Sequence, residues 1–290
     1  MDKHFLIAGL VRNQEMNLAN IVSILNNSFA NYGDVSFLII ESDSTDNTIE
    51  KLTVLRNDYP SFDFVSLGNL GDTLENRWVR MAFLRNTYLD IFVNSPKYKN
   101  CDYLVVADLD DVNLGLKSTS LDSVFKKSDW AAVFANQSKY YYDILAFRHP
   151  ILSPNDCWKE ERYLIEKGMN PFKARKRAVF NRQIKIPRNS QWLEVDSAFG
   201  GLAIYKRESI KGCRYSEYSS EGDFACEHID FHAQIRSHGG RLFIVPSMIN
   251  SGYVDHTEIR KVIPTLKWFI KMFLWELAQL PRHVKGVLRA

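Results

Sequence analysis

The sequence YLVVADLDDVN, from Tyr103 to Asn113, joins a run of apolar residues to three aspartates. The apolar, β-branched run predicts a buried strand, and Asp108, Asp110 and Asp111 lie where that strand should end. Neighbouring carboxylates repel one another, and hard cations such as Mg²⁺ and Mn²⁺, which take oxygen ligands, offset that repulsion. Asp108 and Asp110 can present their carboxylates to one such ion, which can hold the phosphates of a nucleotide. The alternative is a solvated acidic loop in which Asp111 caps a helix.

Apolar runs and helical patterns alternate along the first part of the chain. Runs at 4–11, 35–40 and 62–68 predict strands, and apolar spacing at 15–33, 45–59 and 73–93 predicts helices. This alternation is typical of a doubly wound α/β protein with a largely parallel sheet, whose ligands bind beyond the carboxyl ends of the strands. Three predicted strands end in polar residues: Arg12 and Asn13, Glu41 and Asp43, and Asp108 and Asp110. We therefore expect one site at that edge of the sheet.

The rest of the chain is less regular. We expect strands at 129–137, after Gly200 and Gly201, and within 239–253, with a basic run from Lys173 to Arg188. We expect one domain over residues 1–262, with a nucleotide half at about 1–115 and an acceptor half at about 116–262. We expect residues 263–290 to form an appended basic, amphipathic tail.

Composition excludes some classes of protein. The chain has 290 residues and a net charge of +3, which gives no reason to expect a nucleic-acid partner. The four cysteines are scattered, which favours buried, reduced thiols. We see no signal peptide and no run of about 20 apolar residues, the length that spans a bilayer. These observations favour a cytoplasmic protein.

The order of motifs resembles the GT-A glycosyltransferases. The turn STDNT (44–48) and the Asp-x-Asp at 108–110 are similar to two motifs of that group, although Glu41, Ser42 and Asp43 depart from its usual acidic turn. The segments RWVRMAFLRN (77–86), YYYDILAFR (140–148) and DSAFGGLAIYKRESI (196–210) resemble the fungal capsule-associated alpha-mannosyltransferases over roughly Phe5 to Tyr253.

The resemblance implies a GT-A fold with a mixed, mainly parallel sheet, and a role in polysaccharide biosynthesis. It implies a nucleoside diphosphate sugar donor, GDP-mannose-like or UDP-hexose, a glycan or glycolipid acceptor, Mn²⁺ or Mg²⁺, and transfer with retention. His256, in a loop after the last predicted strand, becomes a candidate third metal ligand beside Asp108 and Asp110; its alternative is an exposed loop histidine.

Other residues have candidate roles around the donor and the acceptor. The candidates for binding the nucleotide and its phosphates are Arg12, Asn13, Glu41, Asp43, Arg85 and Asp108. Arg85 and Arg80 lie on the helix before the Asp-x-Asp strand, where each is either a phosphate ligand or a solvated helix charge. The acceptor-side, catalytic candidates are Glu227, Asp196 and Asp143. The histidines His228 and His232, with Cys226, have the helical spacing of a zinc site but lack a fourth ligand in the pattern.

The tail from Ile263 to Ala290 combines tryptophan, phenylalanine and leucine with lysine and arginine. Such a segment suits the surface of a bilayer, here the inner face of a membrane. The alternative is a helix packed on the catalytic domain or on a second subunit of a homodimer.

Two other functions compete with glycosyl transfer. A sugar nucleotidyltransferase would show a Gly-rich loop after the first strand, whereas AGLVRNQEMN (8–17) is poor in glycine. The second is a catalytically silent, membrane-associated interaction protein with the same fold.

Overall fold

The computed structural model describes residues 3–218, 222–254, 257 and 262–279. Its strands are β1 (Lys3–Val11), β2 (Gly33–Glu41), β3 (Phe62–Ser66), β4 (Tyr103–Ala107), β5 (Ala132–Gln137), β6 (Leu193–Glu194), β7 (Leu202–Lys206) and β8 (Leu242–Ser251). Its helices are α1 (Leu18–Phe29), α2 (Thr48–Asp58), α3 (Arg77–Asn94), α4 (Cys157–Glu166), α5 (Pro171–Ala178), α6 (Glu227–Ser237) and α7 (Val262–Gln279).

The strands form one sheet in the order β3-β2-β1-β4-β7-β5-β8-β6. Strands β1 to β4 are parallel to one another, as are β5 and β8, whereas β7 and β6 run antiparallel to their neighbours. This confirms the mixed, mainly parallel α/β sheet. The carboxyl ends of β1, β2, β4, β5 and β8 therefore meet at one edge, where β7 also begins.

Helices cover both faces of the sheet. On β1, Phe5 and Ile7 pack with α1 and α2 on one face, while Leu6 and Ala8 pack with α3 and α6 on the other. This alternation follows from the two-residue period of a strand. Because β1 is buried on both faces, its sequence is a continuous apolar run rather than an alternating one.

The second half contains helices that the sequence pattern did not predict. Helices α4 and α5 share a small apolar cluster that includes Cys157, Leu164 and Ala174. The basic run at 173–188 thus begins within α5 and continues through a 3-10 turn at Phe180–Arg182. All four cysteines are buried and unpaired, as predicted.

Helix α7 covers the described part of the predicted tail, and one of its faces packs on α5. Trp268 contacts the rings of Phe172 and Phe180, with centroids 6.0 and 5.8 Å away. The Glu276 carboxylate accepts from Lys173 Nζ at 2.7 Å. None of the described helices is both long and apolar enough to cross a membrane.

Candidate active site

A cavity of about 370 Å³, which we call the Asp108 cavity, opens at the carboxyl ends of β1, β2 and β4. It brings together six of the residues singled out in the sequence: Arg12, Asp43, Arg80, Arg85, Asp108 and Asp110. They come from three strand ends and one helix, so the convergence is a property of the fold rather than of any local motif.

The Asp-x-Asp turn is held by backbone contacts to the start of β7. The Asp108 N–H donates to the Gly201 carbonyl at 2.9 Å. The Asn113 amide donates to the carbonyls of Asp108 and Gly201, at 2.8 and 2.9 Å. The Asp110 carboxylate accepts from the Val112 N–H at 3.1 Å and begins a 3-10 turn at Asp111–Asn113. These bonds fix the backbone that carries both carboxylates.

Gly201 is required where β7 meets this turn. Its φ is +79°, a conformation that residues with a side chain rarely adopt. A Cβ at this position would lie 2.5 Å from Val112 Cγ1 and 3.0 Å from the Tyr142 hydroxyl. The glycine pair noticed in the sequence thus lets β7 approach the Asp-x-Asp turn closely.

Asp108 lies among other carboxylates. Burial raises the pKa of Asp108 to about 8; the positive charge of Arg85 opposes this, and the charges of Asp110, Asp143 and Glu227 add to it. A single arginine therefore faces several acids, and such a group attracts an additional cation.

The residues present fit a divalent ion that also binds phosphate. Among the described residues, no three His, Cys, Asp or Glu side chains are placed to enclose a metal by themselves. Mg²⁺ is usually held by one or two carboxylates, with water and substrate phosphates completing its shell. Asp108 and Asp110 supply that number of carboxylates at the cavity wall. His256 lies outside the described residues.

Arg85 pairs with Glu227 inside the protein. Arg85 Nε donates to Glu227 Oε1 at 2.6 Å, and both side chains are buried. The guanidinium also donates to the Tyr88 hydroxyl at 3.3 Å and lies 5.2 Å from the centre of the Phe199 ring. The structure thus joins a predicted phosphate ligand to a predicted acceptor-side acid.

The other two acceptor-side candidates, Asp143 and Asp196, lie in different surroundings. Asp143 is near Asp108, and its oxygens accept from the backbone N–H groups of Gly200 and Ala146 at 3.0 and 3.3 Å. Burial raises the pKa of Asp143 despite those hydrogen bonds. Asp196 instead pairs with Arg236 on α6 at 2.6 Å.

Two of the predicted nucleotide ligands, Asn13 and Glu41, accept hydrogen bonds from the turn that follows β2. Glu41 is buried and accepts from the Ser44 N–H at 3.0 Å and from the Ser66 hydroxyl. The Asn13 side-chain oxygen accepts from the Thr45 N–H at 2.8 Å. These contacts shape the acidic turn, while Arg12 is exposed at the cavity.

Asp43 lines the cavity in a left-handed conformation, with φ of 62°. Partial burial raises its pKa, but the hydrogen bond from the Gly71 N–H, the Ser42 hydroxyl and the charges of Arg80 and Arg12 outweigh burial and hold that pKa below its ordinary value. Asp43 is therefore a charged acceptor at the cavity wall.

Helix α3 contributes Arg77, Met81 and Leu84 to the cavity in addition to the predicted candidates Arg80 and Arg85. Their spacing of three and four residues places them on one face of a helix. That periodicity was the available signal, since a surface helix normally buries apolar rather than cationic residues on its inner face.

The zinc hypothesis for His228 and His232 is wrong. The two ring nitrogens of His232 are hydrogen-bonded to Ser197 and Tyr205, at 2.7 and 2.8 Å. His228 is buried and stacks on Phe199 with ring centroids 4.3 Å apart. Neither of its nitrogens has a hydrogen-bond partner among the described residues. Both histidines are core residues.

No protein-family model matches the chain, and no curated protein matches it. Among solved structures, the mannosyltransferase PcManGT from Pyrobaculum calidifontis, in complex with GDP-Man and Mn²⁺, is similar with a TM-score of 0.52 and 14% identity. The alignment covers 97% of this chain but 66% of that one, just under two thirds of its length. S. aureus TarS 1-349 aligns with a TM-score of 0.47 and 11% identity, over 86% of this chain and 60% of that one.

At these identities the likeness to PcManGT shows the fold alone, and the lower score of TarS carries no argument. The chain has the fold of GT-A-like glycosyltransferases. The resemblance to the fungal capsule-associated family is not confirmed and stays a prediction.

Proposed function

We propose that the chain is a metal-dependent glycosyltransferase that moves a hexose from a nucleoside diphosphate sugar to a glycan or glycolipid acceptor. The observation that carries the proposal is the Asp108 cavity, in which the Asp-x-Asp turn after β4 meets Arg12 after β1 and the arginines of α3. Acids and guanidinium groups facing one cavity suit a metal–diphosphate complex. The GDP-Man and Mn²⁺ bound to PcManGT support the same assignment by analogy of fold.

Each part of the cavity has a proposed role. Asp108 and Asp110 would hold Mn²⁺ or Mg²⁺, which neutralises charge on a departing diphosphate. Arg12, Arg77 and Arg80 line the cavity and would contact phosphate oxygens or the nucleoside. Asp43, with its lowered pKa, would accept hydrogen bonds from ribose or base.

Glu227 and Asp143 would act on the acceptor side. Asp143 is close enough to Asp108 for its charge to raise the pKa of Asp108. Glu227 is held by Arg85, so it is poorly placed to accept an acceptor proton freely, and this favours transfer with retention. Proton NMR of the first-formed product would report its anomeric configuration.

A matched set of aspartate variants tests the metal site. We expect Asp108→Asn and Asp110→Asn to abolish transfer and the metal-dependent binding of nucleotide diphosphates. The control is Asp111→Asn in the same turn, because the Asp111 carboxylate accepts from the Asn17 amide at 2.8 Å and is not part of the cavity lining. Thermal unfolding with GDP- and UDP-sugars, in Mn²⁺ and in EDTA, measures binding.

A ligand that binds only the folded protein stabilises it by about 2.7 kcal/mol at about 100 times its Kd. We expect the sugar nucleotide to stabilise the wild type and Asp111→Asn by that amount in Mn²⁺. In EDTA this stabilisation should be lost. If Asp108→Asn and Asp110→Asn keep wild-type turnover in EDTA, the metal-site assignment is wrong. Metal-dependent binding without transfer or donor hydrolysis would instead identify a silent protein with this fold.

We also propose that α7 places the enzyme on an anionic lipid surface, at the inner face of a membrane. Its face opposite α5 is apolar and exposed: Leu266, Ile270, Phe273 and Leu274 are 50–60% exposed. Lys267 and Lys271, also exposed, complement anionic headgroups beside that apolar face.

The test compares two helix surfaces. Replacing Ile270 and Phe273 with Glu should release the protein from phosphatidylglycerol-containing liposomes in a sedimentation assay. The control is Val54→Glu on α2, because Val54 is likewise 53% exposed on a helix. If the double variant still sediments, the membrane assignment is wrong, and if it instead converts a dimer to a monomer, the face binds a second copy of the chain.

A further inference from the structure

A second cavity, which we call the basic cavity, lies on the acceptor half and has no role in the donor site described above. It measures about 400 Å³, and its walls carry Lys117, Lys185 and Arg188 together with Thr119 and Ser138. Among the described residues its lining includes no acid. The three cations are exposed at the cavity wall, and none of them has an ion-pair partner within the described part of the chain.

The walls of the basic cavity are fixed to the sheet. The Gly115 N–H donates to the Asn250 carbonyl at 2.7 Å, and the Ser120 hydroxyl donates to the Ile249 carbonyl at 3.1 Å, which ties one wall to β8. The Asn136 amide of β5 donates to the Ile186 carbonyl at 3.0 Å, which ties the other wall. Cations carried on segments held in this way lose less freedom when they bind a ligand.

Hydrogen bonds also connect the basic cavity to the Asp-x-Asp turn. From Gly115, the bonded chain continues through Asn250 to Asn113, at 3.0 Å, and from Asn113 to the Asp108 carbonyl, at 2.8 Å. Both cavities lie at the same edge of the sheet, because Ser138 follows β5 and Ile249 is near the end of β8. The Asp108 cavity lies on the β1, β2 and α3 side, and the basic cavity lies on the β5 and β8 side.

We propose that the basic cavity binds a phosphate group of the acceptor. Two ammonium groups and a guanidinium suit a group that carries more than one negative charge and several acceptor oxygens, and hydroxyls of Thr119 and Ser138 add donors. The role as an acceptor subsite rests on the proposed glycosyltransferase function, whereas phosphate binding itself does not. The phosphate can belong to a lipid diphosphate or to a phosphorylated glycan.

Lysine acetylation read by peptide mass spectrometry tests this site residue by residue. The probe is pyrophosphate in EDTA, compared with sodium chloride of equal ionic strength. At about four times its Kd, a bound ligand should slow acetylation of Lys117 and Lys185 about fivefold. Lys51, exposed on α2, is the internal control and should react at an unchanged rate.

The variant Arg188→Gln keeps both reporter lysines and should weaken their protection. Farnesyl diphosphate and glucose 1-phosphate then distinguish the sources, because the one that protects at the lower concentration identifies a lipid or a glycan phosphate. Protection of Lys117 and Lys185 no greater than that of Lys51 overturns the proposal, as does equal protection by glucuronate, which carries only a carboxylate. If the chain hydrolyses no sugar nucleotide but shows this protection, the proposed enzyme function is wrong and the phosphate site stands.

Discussion

The buried pair of Arg85 and Glu227 should contribute strongly to stability, and Glu227→Gln tests this with little change of shape. Arg85 Nε lies 2.6 Å from Glu227 Oε1, and the two side chains are 6% and 7% exposed. Unit charges about 4 Å apart attract by about 4 kcal/mol at an effective dielectric constant of about 20. Breaking a buried ion pair typically costs about 3–5 kcal/mol. Because Asp108 and Asp143 also interact with the charge of Arg85, we expect Glu227→Gln to lower the free energy of unfolding by an amount near the lower end of that range.

A double-mutant cycle separates the pair from its surroundings. Arg85→Met should cost at least as much as Glu227→Gln, because it leaves Glu227 beside Asp108 and Asp143 without a cation. Urea unfolding followed by circular dichroism gives the free energy of unfolding of each variant and of the double variant. We expect the double variant to be more stable than the sum of the single losses predicts, by about 2–3 kcal/mol. If the losses add within about 0.5 kcal/mol, the two charges are not coupled and the reasoning fails.

Two further predictions follow from the core and from the glycine pair. Burial, with a smaller effect of Arg85, lowers the pKa of His232 to about 3. Below about pH 6.5 the unfolded chain therefore binds a proton that the folded chain does not. The free energy of unfolding should fall as pH decreases, by about 1.4 kcal/mol per pH unit for each such histidine. His228 is also buried with a lowered pKa, so His228→Phe should make that acid decline shallower in urea titrations between pH 4 and 7, and an unchanged slope would contradict this. Gly201→Ala should lower both the free energy of unfolding and the affinity for nucleotide. The control is Gly212→Ala, because Gly212 has a similar φ of +78° but nothing lies within 4 Å of the added Cβ. That substitution should cost only the backbone strain, about 1 kcal/mol. Equal effects of the two substitutions in unfolding and nucleotide-binding assays would show that crowding by Val112 and Tyr142 is unimportant.

The fold of the first half could be predicted because its signals are local. Strands β1, β2 and β4 are apolar runs that end in polar residues, and parallel strands bring those ends to one edge. The place of β7 could not be predicted in this way. It pairs antiparallel with β4 and with β5, and those pairings join segments distant in sequence that carry no periodic signal for one another.

The sequence indicated which residues lie near the site more readily than it indicated their hydrogen-bonding partners. Arg85 was assigned to phosphate from its place on a helix before the Asp-x-Asp strand, and it does line the cavity. Its hydrogen-bonded partner, Glu227, is 142 residues away, and only the packing of α3 beside α6 brings them together. Glu41 shows the same limit. It is the last residue of β2, at the predicted edge, but it is buried and its carboxylate accepts hydrogen bonds from Ser44 and Ser66, which the sequence did not indicate.

The charges around Asp108 determine how the proposed donor would bind. Asp108, Asp110, Asp143 and Glu227 are four acids near one buried arginine, and Arg85 is already bonded to Glu227. A diphosphate that entered this side without a cation would meet acids rather than a free cation. Arg12, Arg77 and Arg80 line the same cavity, where Arg12 and Arg80 are close enough to Asp43 to lower its pKa, and these guanidinium groups favour the anion. We therefore expect metal and nucleotide to bind with positive coupling. In calorimetric titrations, Mn²⁺ should bind more tightly in the presence of nucleotide diphosphate than without it. The affinity for nucleotide should rise by the same factor when Mn²⁺ is present. Equal Mn²⁺ affinity with and without nucleotide would mean that the carboxylates alone complete the metal site.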